Sequence, residues 1–446
     1  MENRIESIQS PQFEASKFKE QLERMEQIST EAKEKIDYAS AHDKDVLKSI
    51  EIVESFLRKS HRLCYGGQAI NAHLPKKHKF YDPEHTIPDY DFFTPHQEED
   101  IQELGKLLRS AGFTEISDRE GMHQGTKKLY VNYIPVADLT QLDEKLYTLL
   151  SDREFKSDGI SYMDSNTLRM LMYLELSRPK GEVERWSKVY ERLLLLNEFA
   201  PVKSCAPYQK KFPKHLLSSK EIDSIMDFVI QERRVFAGAD VVGFYKHSFG
   251  KTANGKWLLN TRQPIYFYTP ELEADTKHFT YELQHSSNRR TYSVYVESKG
   301  GDLIPKMTIF LRNKIPFLVL LNETACHSYY NVPIKHEKML RVATIDTLVT
   351  LFFSLSLLKY KYMSLGATEC LAKELVEISY RARNHPDTFP FPFISLSCSG
   401  HQKGLPSLIR DKVLRIKKQR EETKQGNQTR KLKPKRREED VGTKRV

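Results

Sequence analysis

The sequence has 446 residues, of which 39% are hydrophobic and 11% aromatic, and it carries a formal net charge of +10. This length predicts two or three domains, and the apolar content excludes general disorder. The charge is concentrated at the C-terminus, where residues 411–446 contain 14 basic and six acidic side chains. The other 410 residues carry only +2, so the overall charge does not by itself indicate a nucleic-acid groove.

Cysteine usage and the length of the apolar runs bear on the cellular environment. The five cysteines lie far apart without a CxxC pair, so neither a zinc site nor a disulfide framework is predicted, and a reducing compartment fits best. The N-terminal sequence has no apolar signal core. The longest apolar stretch, Leu348 to Leu358, is shorter than the roughly 18 residues needed to span a bilayer. We therefore expect a soluble intracellular protein.

The N-terminal half begins with a region, residues 1–60, that is predicted to be helical. Apolar residues recur there at helical spacing after a candidate cap at Asp43, namely Val46, Ile50, Val53 and Leu57. Residues 61–145 alternate short strands with an amphipathic helix and predict a small α/β unit. A Leu-rich helical stretch over 166–199 follows it, and a polar, Pro-containing linker near 200–215 suggests a domain boundary.

The C-terminal half predicts a second α+β domain over 216–410. Strand patterns occur at 265–268, 291–297, 307–311 and 317–321, which favours an antiparallel meander covered by helices between 336 and 384. No internal repeat is visible in the sequence. Residues 411–446 have too few apolar side chains to fold alone, and a disordered basic tail is expected.

Three features in sequence order point to chemistry: Gly66-Gly67 before a predicted helix, Asp89-Tyr90-Asp91 in a short strand, and Asp138 in a later strand. Residues two apart in a strand project from the same face, so Asp89 and Asp91 present two carboxylates side by side. Oxygen ligands of this kind suit Mg²⁺ or Mn²⁺. If Asp138 lies beside them, the three can hold two ions, and glycines at the turn let the backbone approach phosphate oxygens.

These motifs resemble a known family. The segment YGGQAIN, followed by FYD and PDYDFFTP, resembles the DNA polymerase β superfamily, and within it the poly(A) polymerase catalytic subunits of poxvirus-like nucleocytoplasmic large DNA viruses. The similarity continues through VNYIPVADLTQLD and NTLRMLMYLELSRPKGEVERWSKVYERL and covers residues 60–200. It implies an α+β fold with a polymerase β-like nucleotidyltransferase domain over 61–200, and a degenerate nucleotidyltransferase-like second domain that binds or scaffolds.

The resemblance also implies the activity and its partners. We expect a polynucleotide adenylyltransferase that adds AMP from ATP to the 3′-hydroxyl of mRNA without a template, using two Mg²⁺ or Mn²⁺ ions. The implied partners are the RNA 3′ end, ATP and a second subunit, either another copy of the chain or a processivity factor, with no membrane. The implied location is the host cytoplasm, in the viral factory, and the virion.

The resemblance assigns roles to individual residues. Gly66 and Gly67 would contact the triphosphate, and Gln68 takes the place of the superfamily's usual serine. Asp89 and Asp91 would bind both metals, and Asp138 would join the metal that activates the RNA hydroxyl and act as the candidate base. Asp143 remains an alternative third carboxylate. The helical stretch offers nucleotide-contacting candidates, namely Asn166, Arg169, Arg178, Lys180 and Lys188; for Arg169 a structural pairing with Glu175 is the alternative.

Two other functions remain open at this point. A terminal nucleotidyltransferase that uses UTP or CTP would have the same carboxylates, because base choice depends on a pocket that the sequence does not reveal. A non-catalytic RNA-binding scaffold is the second alternative. Three carboxylates argue against the scaffold, since buried like charges are costly without a cation to neutralise them. The basic tail could bind RNA through its backbone, or act as a localisation or solubilising segment.

Overall fold

The computed structural model describes residues 15–81, 85–203, 205, 216–255, 258, 264–285, 291–297, 304–334, 338–363 and 365–431. The helices are α1 (Ala15–Ala41), α2 (Lys44–Ser60), α3 (Gly66–Ala72), α4 (Gln97–Ser110), α5 (Glu144–Ser151), α6 (Ser165–Leu176), α7 (Trp186–Phe199), α8 (Ser219–Gln231), α9 (Ala239–His247), α10 (Leu272–His285), α11 (Ile345–Leu357), α12 (Leu365–Asn384) and α13 (Leu405–Lys431). The strands are β1 (Leu63–Tyr65), β2 (Tyr90–Thr94), β3 (Ile116–Glu120), β4 (Thr126–Val131), β5 (Ile134–Gln141), β6 (Phe155–Ser157), β7 (Ile160–Tyr162), β8 (Val235–Ala237), β9 (Ile265–Thr269), β10 (Ser293–Glu297), β11 (Met307–Arg312), β12 (Ile315–Asn322), β13 (His327–Pro333), β14 (Met339–Ala343) and β15 (Cys398–Ser399). The predicted α+β class is confirmed.

Helix α2 covers the first sheet and forms as its sequence predicts. Asp43 Oδ1 accepts hydrogen bonds from the backbone N–H groups of Asp45 and Val46, both at 2.9 Å, and so caps the helix. The predicted apolar residues lie buried on one face of the helix. Helix α1 contrasts with it, because its side chains are almost entirely exposed over residues 18–37.

The first sheet has seven strands in the order β3-β4-β5-β2-β1-β7-β6. Two of its neighbour pairs, β2 with β5 and β1 with β7, are parallel, and the other pairs are antiparallel. The β4–β5 hairpin turns at Asn132 and Tyr133, which both have positive φ, and a bulge interrupts the hairpin between Leu129 and Tyr130. This sheet carries all three carboxylates of the sequence motif on or beside its strands.

The second sheet repeats the seven strands of the first and adds one more, β15, at its edge. Its order is β10-β11-β12-β9-β8-β14-β13-β15, with the parallel pairs β9–β12 and β8–β14 in the same places. The β11–β12 hairpin turns at Asn313 and Lys314, again with positive φ, and its bulge lies between Phe310 and Leu311, at the same offset from the turn. The sheet is therefore mixed, and the simple antiparallel meander expected from the sequence is wrong.

A three-residue polar motif also occurs once in each sheet. In the first sheet, Arg62 binds both oxygens of Asp100 at 2.8 Å, and Thr94 donates to the same carboxylate at 2.5 Å. The carboxylate thus fixes the start of one strand, the end of another and the first turn of α4. Such a bidentate, buried pair is geometrically specific, because both guanidinium nitrogens and both carboxylate oxygens are used.

In the second sheet Arg234 binds Asp275 in the same way, with both bonds at 2.9 Å, and Thr269 donates to Asp275 at 2.6 Å. The two domains therefore share topology, hairpin irregularities and a buried ion pair. The sequence showed no repeat, because few side chains outside such contacts need to match for the backbone to do so.

The two domains pack through helices and share a continuous apolar core. Helix α6 of the first domain packs on α11 of the second, and every residue of α11 is buried. Arg153 donates to the backbone oxygen of Ser356 at 2.7 Å, and the backbone N–H of Ser328 donates to the oxygen of Ser177 at 3.1 Å. The long apolar run of the sequence is thus an interior helix. No helix among the described residues is long and apolar enough to cross a membrane.

One expectation about the C-terminal end needs correction. Residues 411–431 continue helix α13, where disorder was expected, and Arg415 and Gln419 attach the helix to Glu120 at the end of β3. Arg415 also donates to the backbone oxygens of Gly121 and Met122, both at 3.2 Å. Residues 432–446 of the predicted tail, and most of the predicted linker, lie outside the described residues.

The cysteine prediction is also wrong. Cys205 is bonded to Cys370 and Cys326 to Cys398, while Cys64 is free and buried. The bonded partners are 165 and 72 residues apart in sequence, so local spacing gave no sign of the pairing. Only the folded chain brings them together.

Candidate active site

A glycine turn joins β1 to α3. Gly66 has φ of +70°, a left-handed conformation that favours glycine, and a Cβ on it would overlap Oδ2 of Asp91. A Cβ on Gly67 would overlap the hydroxyl oxygen of Tyr81. Both glycines therefore have close neighbours that leave little room for a side chain, a carboxylate at Gly66 and a tyrosine at Gly67.

The three carboxylates converge beside this turn. Asp91 and Asp138 are directly opposite partners in the parallel pairing of β2 with β5, and Asp89 lies two residues before Asp91, just outside the strand. Antiparallel pairing with β1 places Asp91 opposite Tyr65, the residue before the glycines. The arrangement predicted from residue spacing is the one that the sheet register produces.

The ionised forms of the clustered carboxylates are disfavoured. Burial raises the pKa of Asp91 to about 7, and the nearby charges of Asp89 and Asp138 act in the same direction, while Lys128 opposes them. Burial also raises the pKa of Asp138, although Lys128 donates to its Oδ2 at 2.5 Å. Its other oxygen, Oδ1, is buried and has no hydrogen-bond partner within the described residues.

The carboxylates suit a divalent cation in their donor chemistry, although the described residues include no group of three or more His, Cys, Asp or Glu side chains already placed to hold a metal ion. Three neighbouring carboxylates supply hard oxygen ligands and more negative charge than Lys128 neutralises. An orphaned, buried carboxylate oxygen such as Asp138 Oδ1 is costly unless something positive faces it. The alternative third carboxylate, Asp143, lies at the N-cap of α5, where its side chain accepts the backbone N–H of Lys145 at 3.0 Å.

Helix α7 brings cations towards the carboxylates. The positive charge of Arg192, with burial and Arg185, lowers the pKa of Lys188, while Asp89 acts in the opposite direction. Arg185 in turn lowers the pKa of Asp91. Of these cations only Lys188 was a candidate from sequence. Arg185 and Arg192 were missed, although the helical spacing of Arg192 four residues after Lys188 puts both on one face.

Arg169 is not available to a nucleotide, contrary to its assignment from the resemblance. Its side chain is fully buried, and its guanidinium donates to Asn197 at 2.6 Å and to Asn166 at 2.7 Å. It also donates to backbone oxygens of Leu196 and Ala200 at the end of α7. Arg169 therefore closes a helix C-terminus, and its expected pairing with Glu175 is also absent from its hydrogen bonds.

The other helical candidates lie in varied settings. Asn166 is half-buried and is used as an acceptor by Arg169. Gln68 is half-buried in the first turn of α3, while Lys180 is exposed and Arg178 half-buried in the loop after α6. Of this group, Gln68 is the residue that directly follows the glycine turn.

The second sheet lacks the carboxylates at the equivalent positions. Gly238 has φ of +102° and corresponds to Gly66, and a Cβ on it would lie 2.8 Å from Tyr266, which takes the place of Asp91. Val319 is the parallel partner of Tyr266, as Asp138 is of Asp91, and Pro264 stands at the position of Asp89. The described residues of the second domain therefore form no counterpart of the carboxylate cluster.

Comparison with known proteins gives the family. Residues 51–182, which include the turn and all three carboxylates, match the model of the poly(A) polymerase catalytic subunit family. This segment is similar to the poly(A) polymerase catalytic subunit family. The resemblance seen in the sequence is confirmed.

Viral proteins are among the relatives. The chain is 24% identical over 226 residues to a protein described as a candidate poly(A) polymerase catalytic subunit of Acanthamoeba polyphaga mimivirus. The aligned region covers 48% of this chain and 38% of the relative. It is 26% identical over 166 residues to such a protein of African swine fever virus, isolate Pig/Kenya/KEN-50/1950, covering 36% of this chain and 35% of the relative. The chain thus matches well under half the length of these relatives.

The fold has a solved counterpart. The Megavirus polyadenylate synthase matches over 94% of this chain and 86% of its own, with a TM-score of 0.69 and 19% sequence identity. The similarity extends far beyond the segment that the family model covers. It shows that the chain shares the fold of that protein.

Proposed function

We propose that this protein is a polynucleotide adenylyltransferase that extends RNA 3′ ends with AMP from ATP without a template. The observation that carries the proposal is the convergence of three carboxylates on a glycine turn in the first sheet. The family match of the same segment supports it, as do the names of the similar proteins.

The chain's own groups have distinct roles in this reaction. The 3′-hydroxyl oxygen of RNA attacks the α-phosphorus of ATP, a new O–P bond forms, and the bond to the bridging oxygen breaks to release pyrophosphate. Asp138 Oδ1 accepts the hydroxyl proton, since Lys128 already occupies the other oxygen. The Gly66-Gly67 turn binds the triphosphate. The positive charges of Lys188 and Arg185 attract the triphosphate towards the cluster.

The cofactor proposed is a pair of Mg²⁺ or Mn²⁺ ions. Asp89 and Asp91 would hold both ions, and Asp138 would contribute to one of them. When bound, the ions would lower the pKa of the attacking hydroxyl and neutralise charge on the triphosphate. Their binding would also relieve the repulsion that raises the pKa of Asp91.

The partners proposed are RNA, ATP and a second subunit. Helix α13 lies beside the catalytic sheet through Arg415, and it presents exposed basic residues, namely Lys403 just before it and Arg410, Lys417, Lys418 and Arg420 within it. Such a surface suits the RNA backbone. The second subunit would be another copy of the chain or a processivity factor, and α1 has exposed apolar residues for such a contact, namely Phe18, Leu22, Met25, Ile28 and Ile36.

Primer extension tests the proposal. Purified protein is incubated with labelled single-stranded RNA, Mg²⁺ or Mn²⁺ and each nucleoside triphosphate separately, with a chelator control. A metal-dependent ladder from ATP alone is expected. A ladder from UTP or CTP would identify that nucleotide as the donor and leave the proposed active site unchanged. RNA binding without any extension would favour the non-catalytic scaffold.

A further inference from the structure

Tyr81 lies against the glycine turn, and the proposed catalytic machinery leaves it without a role. Its hydroxyl oxygen and ring edge occupy the space that a side chain on Gly67 would need. The segment is held in place on the α3 side, where the backbone N–H of Phe80 donates to the buried Asn71 side chain at 3.0 Å. Tyr81 thus contacts the second glycine of the turn, whereas Asp91 contacts the first.

Arg192 of α7 holds the tyrosine from the other direction. Its guanidinium donates to the Tyr81 hydroxyl oxygen at 2.9 Å. The same group lies over the rings of Phe80 and Tyr81, with its central carbon 4.5 and 5.4 Å from the two centroids. Tyr81 therefore connects the glycine turn to the helix whose cations face the carboxylates.

The Tyr81 hydroxyl has a hydrogen available to donate. Because the oxygen accepts from Arg192, its own O–H hydrogen remains to be donated, and the described residues offer it no acceptor. A donor already polarised by a cation makes a stronger hydrogen bond to an anion. A polyphosphate chain bound at the turn supplies only acceptor oxygens.

We propose that Tyr81 is a nucleotide-binding residue that donates its hydroxyl hydrogen to the polyphosphate of the bound nucleoside triphosphate, and that Arg192 positions it. This inference rests on the proposed function, since the triphosphate is assigned to the glycine turn there. It adds a side-chain donor from a segment between the glycine and carboxylate motifs.

The test measures nucleotide affinity in the full-length protein, independently of catalysis. Tyr81→Phe keeps the ring against Gly67 and removes only the hydroxyl, so the fold is expected to persist. Isothermal titration with α,β-methylene-ATP and Mg²⁺ is expected to give a Kd about tenfold to a hundredfold weaker than that of the unchanged protein, as for loss of a hydrogen bond to a charged group. Tyr133→Phe is the matched control, because Tyr133 is 71% exposed at the β4–β5 turn.

Kinetics separate binding from a general defect. The Tyr81→Phe variant is expected to show a raised KM for ATP, with a smaller effect on its KM for RNA. Unchanged or tighter binding of the analogue, with the unchanged protein binding it normally, would overturn the proposal and mean that Tyr81 merely fills space or obstructs the turn. If the unchanged protein binds the analogue but extends no RNA, the proposed function fails while the affinity comparison still decides the role of Tyr81.

A double-mutant cycle tests the role of Arg192. Arg192→Lys keeps a positive charge but cannot reproduce the planar guanidinium on both rings. If Arg192 acts through Tyr81, the combined variant loses little more affinity than Tyr81→Phe alone. Losses that multiply would instead mean that Arg192 acts independently, and would remove its positioning role.

Discussion

Replacing Asp91 by Asn should abolish nucleotide addition and at the same time make the metal-free protein more stable. In the folded chain Asp91 has a pKa of about 7 against an ordinary value of 3.8, chiefly because it is buried and also because Asp89 and Asp138 repel its charge. The unfolded state therefore binds fewer protons than the folded state between pH 4 and 7, so the stability of the unchanged protein falls as pH rises through this window.

The magnitude follows from the two pKa values. At pH 8 the ionised side chain costs the folded state about 4 kcal/mol, and at pH 5, where it is protonated after folding, about 1.5 kcal/mol. Asp91→Asn removes this cost, so the variant's advantage in the free energy of unfolding should be more than halved between pH 8 and pH 5. Millimolar Mg²⁺ should stabilise the unchanged protein more than the variant, because the metal binds the ionised cluster.

Urea unfolding at pH 5 and pH 8, with EDTA or with Mg²⁺, measures these differences, and primer extension measures the activity. Asp143→Asn is the control, since it also removes one carboxylate of the same domain but retains a side chain that caps a helix well. It should show neither the stability gain nor the loss of activity. A stability difference for Asp91→Asn that does not change with pH, or an active variant, would refute the reasoning.

Three further predictions concern other parts of the molecule. Lys128→Met removes the cation that lowers the pKa of Asp91 and Asp138, so the acid side of the pH–rate profile should move to higher pH; an unmoved profile would separate Lys128 from the cluster. Arg169→Met leaves the carbonyls at the end of α7 without their donor, and urea unfolding should show a loss of about 3 kcal/mol or more, while a loss below about 1 kcal/mol would contradict the buried network. Deleting residues 416–446 keeps the Arg415 contact, and RNA affinity should fall and depend less on salt, whereas equal salt slopes would place RNA elsewhere.

The sequence predicted the candidate cluster because the spacing of its residues is short-range. Asp89 and Asp91 are two residues apart. Gly66 has a positive φ, a backbone conformation that favours glycine. The choice of Asp138 over Asp143 needed the register of β5 against β2, since hydrogen bonding across the sheet decides which carboxylate faces Asp91. The sequence left both candidates open for that reason.

Other features could not be read from the chain. Arg169 was open between a nucleotide contact and a structural role, and it was the packing of α7 that buried its guanidinium. Tyr81 and Arg192 are 111 residues apart, so nothing local signalled their hydrogen bond. The same holds for the two disulfides, whose partners meet only in the folded chain.

By itself the sequence predicted the α+β class, the family that residues 60–200 resemble and the candidate residues of the cluster, because these follow from local periodicity and motif spacing. The resemblance implied a degenerate second domain, but only the tertiary structure showed how closely its sheet repeats the first and which residues take the places of the carboxylates. Such a repeat is held by backbone pairing and by a few contacts such as that of Arg234 with Asp275, which leave most side chains free to differ. Register and packing bring together residues that are distant along the chain, and a single sequence does not show which of them meet.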